Sequence, residues 1–278
     1  MIEIFETNHI LFFVIIMILT AIPAGFFAGL FGIGGGLITV PFLFFIFEVL
    51  NIEKQYLMHL AVGTSFSIII PTSIVSVLTH KKHKSVDVNV IKTYGAFVIV
   101  GVLTGTIFAA LMKTKFLLIF FSIIVYFLGT YLLLLKDKVK ELRKKFGLNS
   151  RIIFGLISGF ISAPMGIGGA VMNVPILRYF GYPINKAIGS ASAIGFIIAL
   201  FGGLGFFLTG SYLNANLPLS IGFINIPAFL IFIPITMFMA RVGANTSNKM
   251  DKSKLQRFFG IFLYIIGTLF LYRYLSLV

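Results

Sequence analysis

Two glycine runs are the residues best placed to do chemistry in this chain: Gly32-Ile33-Gly34-Gly35-Gly36 and Gly166-Ile167-Gly168-Gly169. Each is followed by a Val-Pro pair, Val40-Pro41 and Val174-Pro175. A glycine costs a helix interior about 1 kcal/mol relative to alanine, so several together break it. A short helix restarting near Leu37 and Val171 would leave free N–H groups and the positive end of a helix dipole at each break. Those are the ingredients of an anion site. Thr39 and Asn173, at matching places after the two runs, would add side-chain donors, and Thr64, Ser65, Ser190 and Ser192 would line the same cavity from the following helices. The candidate substrate-binding set is therefore Gly32, Gly34, Gly35, Gly36, Thr39, Thr64, Ser65, Gly166, Gly168, Gly169, Asn173, Ser190 and Ser192. The competing reading is packing, because small residues four apart let helices approach closely. That reading fits Gly25/Gly29, Gly101/Gly105 and Gly155/Gly159. The runs lack the lysine of a phosphate loop and the third glycine of a dinucleotide fingerprint.

Other chemistry is sparse. The chain has no cysteine, which removes disulfides and thiolate sites, and its four histidines, His9, His59, His80 and His83, are scattered. No paired carboxylates and no nucleophile–base pair point to catalysis. The expectation is a non-enzyme without metal or cofactor. Ionisable groups within apolar runs mark ion paths. Glu48, His59 and Arg241 are the candidates for coupling, set against interfacial placement for the first two and snorkelling for the arginine. Asn225 reads as an interhelical hydrogen bond.

The elements that carry these residues follow from composition. The 278 residues are 59% hydrophobic and 11% charged, under half the charge of an average soluble domain, about 25%, and the mean hydropathy is +1.06. Hydrocarbon must be the solvent. Apolar runs occupy 10–31, 37–50, 57–79, 90–112, 116–135, 152–165, 170–180, 187–209, 218–240 and 255–275. A helix needs about 20 residues to cross, so 37–50, 152–165 and 170–180 are too short to do so alone. The expected fold is an all-α polytopic membrane protein. Lysine and arginine cluster at 81–92, 136–151, 178–186 and 241–257, which together hold 18 of the 22. Such clusters mark cytoplasmic loops. The basic 136–151 loop is then inside and both termini are outside. The N-terminus, with Glu3 and Glu6 and no basic residue, reads as a retained segment rather than a cleaved signal. The net charge of +14 follows from these topology signals and calls for no nucleic-acid partner.

Threaded this way, each half is a glycine-broken helical hairpin plus three transmembrane helices, and the halves start on opposite sides. That is an inverted-topology repeat. The expected division is 1–140, a basic linker 141–150, and 151–278. Ala24–Leu43 aligns without gaps on Ser158–Leu177 with nine of twenty positions identical, and Leu117–Leu134 aligns on Leu255–Tyr272 with eight of eighteen. A weaker third pair is His59–Ser65 with Asn185–Ala191.

At these residues the chain resembles the TauE/SafE family of sulfite exporters and sulfonate permeases. The match is Gly25-x-x-x-Gly29-x-x-Gly32-Ile33-Gly34-Gly35-Gly36 with Val40-Pro41, its counterpart in the second half, the Ala61–Ser65 string and the stretch from Ala240-Arg241 to Gly267. Ala163-Pro164, where the first half has Gly29-Leu30, departs from the pattern. The resemblance implies transport of sulfite, a sulfonate or a related anion at the cell membrane. The partners expected are a small anionic substrate and the lipid bilayer. An uncoupled channel or uniporter is the alternative, and a membrane enzyme or scaffold a weaker one. Substrate identity, direction, coupling ion and oligomeric state stay open.

Overall fold

The computed structural model describes residues 7–31, 35–82, 84–134, 146–247 and 252–276. These form ten helices: α1 Thr7–Phe31, α2 Gly36–Val49, α3 Leu57–Lys82, α4 Val88–Leu111, α5 Thr114–Leu134, α6 Leu148–Met165, α7 Ala170–Tyr179, α8 Ile184–Tyr212, α9 Ile226–Ser247 and α10 Lys252–Ser276. A two-stranded hairpin, β1 Ser220–Ile221 and β2 Ile224–Asn225, precedes α9. Each of the ten apolar runs becomes one helix.

Seven helices, α1, α3, α4, α5, α6, α8 and α9, are long and apolar enough to cross a membrane. The outward faces are apolar: Leu19, Ile107, Phe127, Leu208, Leu230 and Phe238 are all exposed. In water such a surface would drive aggregation, and in hydrocarbon it costs nothing. The polar residues turn inward instead, with Ser65, Thr64, Ser158, Asn173 and Ser190 fully buried.

Two boundaries differ from the sequence reading. The 152–165 run is too short to span, yet α6 begins at Leu148 and reaches 18 residues. The extra turn is anchored by Arg151, which donates to Thr93 Oγ1 at 2.7 Å and lies over the Phe146 ring. The expected linker 141–150 therefore ends inside a helix. The 218–240 run likewise opens with the hairpin, not a helix. Asn225 ends the hairpin and caps α9, its Oδ1 accepting from the Ala228 N–H at 3.0 Å. The side chain is thus a cap, while the bond to another helix is made by the Asn225 backbone N–H, which donates to Thr64 Oγ1 of α3.

Packing exchanges the two halves. Helix α1 pairs with α9, and α6 with α4, while α3 pairs with α8 and α5 with α10. Gly25 and Gly29 meet Thr236 and Ala240 in step, and Gly101 and Gly105 meet Leu156 and Phe160 in step. Both of these pairs run parallel. The α5–α10 pair is antiparallel and reciprocal: Tyr126 hydrogen-bonds Thr268 at 2.8 Å, and Tyr264 hydrogen-bonds Thr130 at 2.5 Å. Tyr126 aligns with Tyr264, and Thr130 with Thr268, so one bond is made twice with the halves swapped.

The glycines at these crossings let backbones touch. A Cβ on Gly101 would run into the Leu156 carbonyl, whereas one on Gly203 would meet only side chains and backbone at ordinary van der Waals distance. Gly101→Ala should lower the detergent-solubilised melting temperature, by a loss of about 1–3 kcal/mol from overpacking. Gly203→Ala should hold or raise it. Equal melting temperatures for the two variants would contradict the close α4–α6 contact.

Candidate functional site

The two breaks end in the same local geometry. Gly35 and Gly169, the N-cap residues of α2 and α7, have φ of +82° and +68°, a left-handed turn that only glycine adopts without strain. From each, the chain enters a helix whose first turn bonds back to the glycine carbonyl: Ile38 and Thr39 N–H to Gly35, Met172 and Asn173 N–H to Gly169. The side chains repeat the pattern, with Thr39 Oγ1 donating to the Gly35 carbonyl at 3.1 Å and Asn173 Nδ2 to the Gly169 carbonyl at 2.7 Å. Among the described residues, nothing accepts from the N–H groups of Gly36 and Leu37, or of Ala170 and Val171. The helices restart one residue before the expected points, and Pro41 and Pro175 fall in the second turn.

The breaks lie against each other. A Cβ on Gly36 would strike the Gly166 carbonyl, one on Gly166 would meet Val40, and Ser65 Oγ donates to the Gly166 carbonyl at 3.0 Å. So Gly36, Ser65 and Gly166 touch where the breaks meet, and Gly35, Thr39, Gly168, Gly169 and Asn173, all buried, belong to the turns that flank this contact. Gly32 and Gly34 lie outside the described residues.

Thr64 and Ser190 serve the neighbouring helix caps. Thr64 Oγ1 accepts from the Asn225 N–H at 2.9 Å, and Ser190 Oγ from the Asp87 N–H at 3.0 Å. Asp87 caps α4 as Asn225 caps α9, its Oδ1 accepting from Asn89 and Val90. These two are equivalent positions of the two halves, each hung on a hydroxyl from the helix before the swap. Sequence reading missed Asp87, although an acidic residue just ahead of an apolar run is a helix-start signal. It also missed Tyr94 and Ser158, which donate to Asn173 Oδ1 at 2.6 Å and 2.9 Å. Nothing in their spacing marks them, because the contact joins three helices.

A cavity of about 390 Å³ leads to the breaks from one side. Lys82, His80, Arg241 and Asn245 stand at its lining with Thr79, and Thr72, Ser76, Ser192, Gly195 and Gly168 lie along it. Ser192 donates to the Ile188 carbonyl at 2.9 Å and accepts from Ser76 at 3.4 Å. Arg241 and Lys82 are exposed. The opposite approach is filled: Phe223 of the hairpin packs on Tyr56, His59 and Phe206, with ring centroids 5.1–6.3 Å apart. His59 Nε2 lies 3.0 Å from the Ala109 carbonyl and donates to it, leaving Nδ1 without a partner. Glu48 is bound to Arg273 at 2.8 Å, joining the ends of α2 and α10, and is partly exposed. Of the three coupling candidates, then, Arg241 lines the cavity, His59 lies on the filled side and Glu48 is tied into a helix-end ion pair.

The sulfite exporter TauE/SafE family model matches residues 17–270, nearly the whole bundle. The chain belongs to the TauE/SafE family. It is similar to a probable membrane transporter protein of Haemophilus influenzae, 31% identical over 256 residues that cover 92% of this chain and 97% of that one. A probable membrane transporter protein of Methanocaldococcus jannaschii is 29% identical over 266 residues, covering 92% and 94%. No solved structure gives a significant match. This TauE/SafE protein is a multi-pass membrane transporter.

Removing the Thr64 or Ser190 hydroxyl would strand a buried cap N–H, at a cost of about 1–3 kcal/mol. Thr64→Val and Ser190→Ala should each lower the melting temperature while leaving substrate half-saturation unchanged. A shift in half-saturation at undiminished stability would return these residues to the binding set.

Proposed function

We propose that this protein carries a small sulfur oxyanion, sulfite or a sulfonate, by alternating access around the two apposed breaks. The observation that carries the reading is the cavity lined by the exposed cations Lys82 and Arg241 and, at the second break, by the buried Gly168. Cationic groups at a mouth walled by low-dielectric protein concentrate anions. Free N–H groups and the dipole end of α7 then meet the anion at the second break. The irregular backbone of the breaks is tolerable in a bilayer only inside protein or beside such a cavity. The lysine-rich rule puts the cavity mouth on the cytoplasmic side, the basic 136–151 loop with it, and both termini outside. The Phe223 cluster would be the closed outer gate of this conformer, and the two halves, each built of a broken hairpin and three crossings, would rock about the site.

Uncoupled uniport is the second reading. It is favoured by one observation: among the described residues no carboxylate is buried, and Glu48 is held by Arg273.

Proteoliposome flux tests the proposal. Sulfite, sulfate, thiosulfate and taurine would be offered separately, with Thr39→Val and Asn173→Ala beside the parent. Saturable movement of sulfite or a sulfonate, reduced at least about tenfold by Asn173→Ala, is expected for a hydrogen bond to an ion at the site, worth about 1.5–3 kcal/mol, whereas Thr39→Val, whose hydroxyl proton already goes to the Gly35 carbonyl, should change it less. Failure to move any of the four compounds would sink the transport reading. Full activity in Asn173→Ala would sink the site.

A further inference from the structure

Buried hydroxyls on these helices give their proton to the carbonyl one turn back, as do Ser67, Thr72, Thr106, Ser122 and Thr236. Ser162 does not. It is 1% exposed, and its Oγ is the one buried hydroxyl among the described residues with no hydrogen-bond partner. An unpaired buried hydroxyl costs free energy unless something occupies it. Ser162 sits in the last turn of α6, one turn before Gly166. Its Oγ lies 3.4 Å from the point where a Cβ on Gly169, the N-cap of α7, would stand, and Asn173 Nδ2 lies 2.9 Å from the same point.

The surroundings fix the polarity of this spot. Asn173 Oδ1 is taken by Tyr94 and Ser158, so the amide is locked with its nitrogen toward Gly169. That nitrogen spends one proton on the Gly169 carbonyl and keeps the second. The N–H groups of Ala170 and Val171 have no described acceptor. A hydroxyl, an amide proton and two backbone N–H groups thus gather at one helix end. The first break has no such set, because Ala28 and Thr39 stand where the second has Ser162 and Asn173.

We propose that Ser162 is an oxyanion-binding residue, and that the substrate is held on the second break alone, one charged oxygen against Ser162, Asn173 and the N-terminus of α7. This inference rests on the transport reading above. It names the half that binds and the side chain that does so. The ligand class is an oxyanion with an unprotonated oxygen, since the amide proton and the two backbone N–H groups can only donate and the Ser162 hydroxyl proton is free to join them. Ile198 Cδ1 covers Gly169, one turn along α8 from Gly195 at the cavity end. An anion passing Gly168 would have to displace that methyl group.

Ser162→Ala separates binding from structure, with Ser122→Ala as a control far from the site. Sulfite is the probe, in proteoliposome flux and in thermal melts with and without it. The expected result is a half-saturation concentration raised roughly tenfold in Ser162→Ala, as for a lost hydrogen bond to an anion. Its ligand-free melting temperature should be equal to or above the parent's, because an unpaired hydroxyl has been removed. Sulfite should then raise that temperature less than it does for the parent. Ser122→Ala should keep the parent's half-saturation. An unchanged half-saturation in Ser162→Ala, with the parent still transporting, overturns the Ser162 assignment and leaves the transport reading standing. Loss of folding in Ser162→Ala also overturns it, since a hydroxyl without a partner has no bond to lose. If the parent moves none of sulfite, sulfate, thiosulfate and taurine, both readings fall.

Discussion

Every backbone N–H and C=O in hydrocarbon must find a partner within the protein, and the architecture depends on that constraint. Helices meet it internally along their length. The two breaks cannot, and so they are placed where protein surrounds them. Gly35 and Gly169 turn the chain left-handed, the following turn folds back onto their carbonyls, and Ser65 reaches across from α3 to the Gly166 carbonyl. Among the described residues, what remains unpaired is a set of N–H groups at two helix starts. A soluble protein would surrender these to water. In the proposed mechanism they meet the anion.

The same constraint explains the swapped packing. Each broken hairpin must be covered, and its long arm is covered by the other half while its short arm packs on its own, α2 on α3 and α7 on α8. Helix α9 of the second half shields α1, and α4 of the first half shields α6. The start of each covering helix is then hung on a hydroxyl of the helix it crosses, Asn225 on Thr64 and Asp87 on Ser190. The Tyr126–Thr268 and Tyr264–Thr130 bonds close the arrangement along α5 and α10. These polar contacts are few, and the rest of the interface is glycine against backbone, which suits a bilayer where apolar burial drives no helix association.

Much of this was legible in the chain. Ten apolar runs became ten helices, because length and hydropathy dominate when lipid is the solvent. The glycine runs with their Val-Pro sequels located both breaks. Where the reading fell short, the deciding contact was tertiary. Helix α6 gained a turn from Arg151 bonding to Thr93 and stacking on Phe146, and no local pattern carries that information. The 218–225 stretch is apolar enough for a helix, yet it folds as a hairpin whose Phe223 fills the space between α3 and α8. Thr64 and Ser190 looked like cavity residues because they flank the breaks in sequence, and they face helix caps instead. Ser162 was invisible for another reason. A serine in an apolar run looks like any other, and only the bond it does not make sets it apart.

The central claim is that an anion is held where the breaks meet. Selenite, an analogue of sulfite, scatters anomalously at the selenium edge, so crystals of the protein soaked or grown with it would locate the anion directly. The account predicts an anomalous peak beside Gly169, within hydrogen-bonding reach of Ser162 and the N-terminus of α7. Peaks confined to the Lys82 and Arg241 mouth, with none at either break, would contradict it.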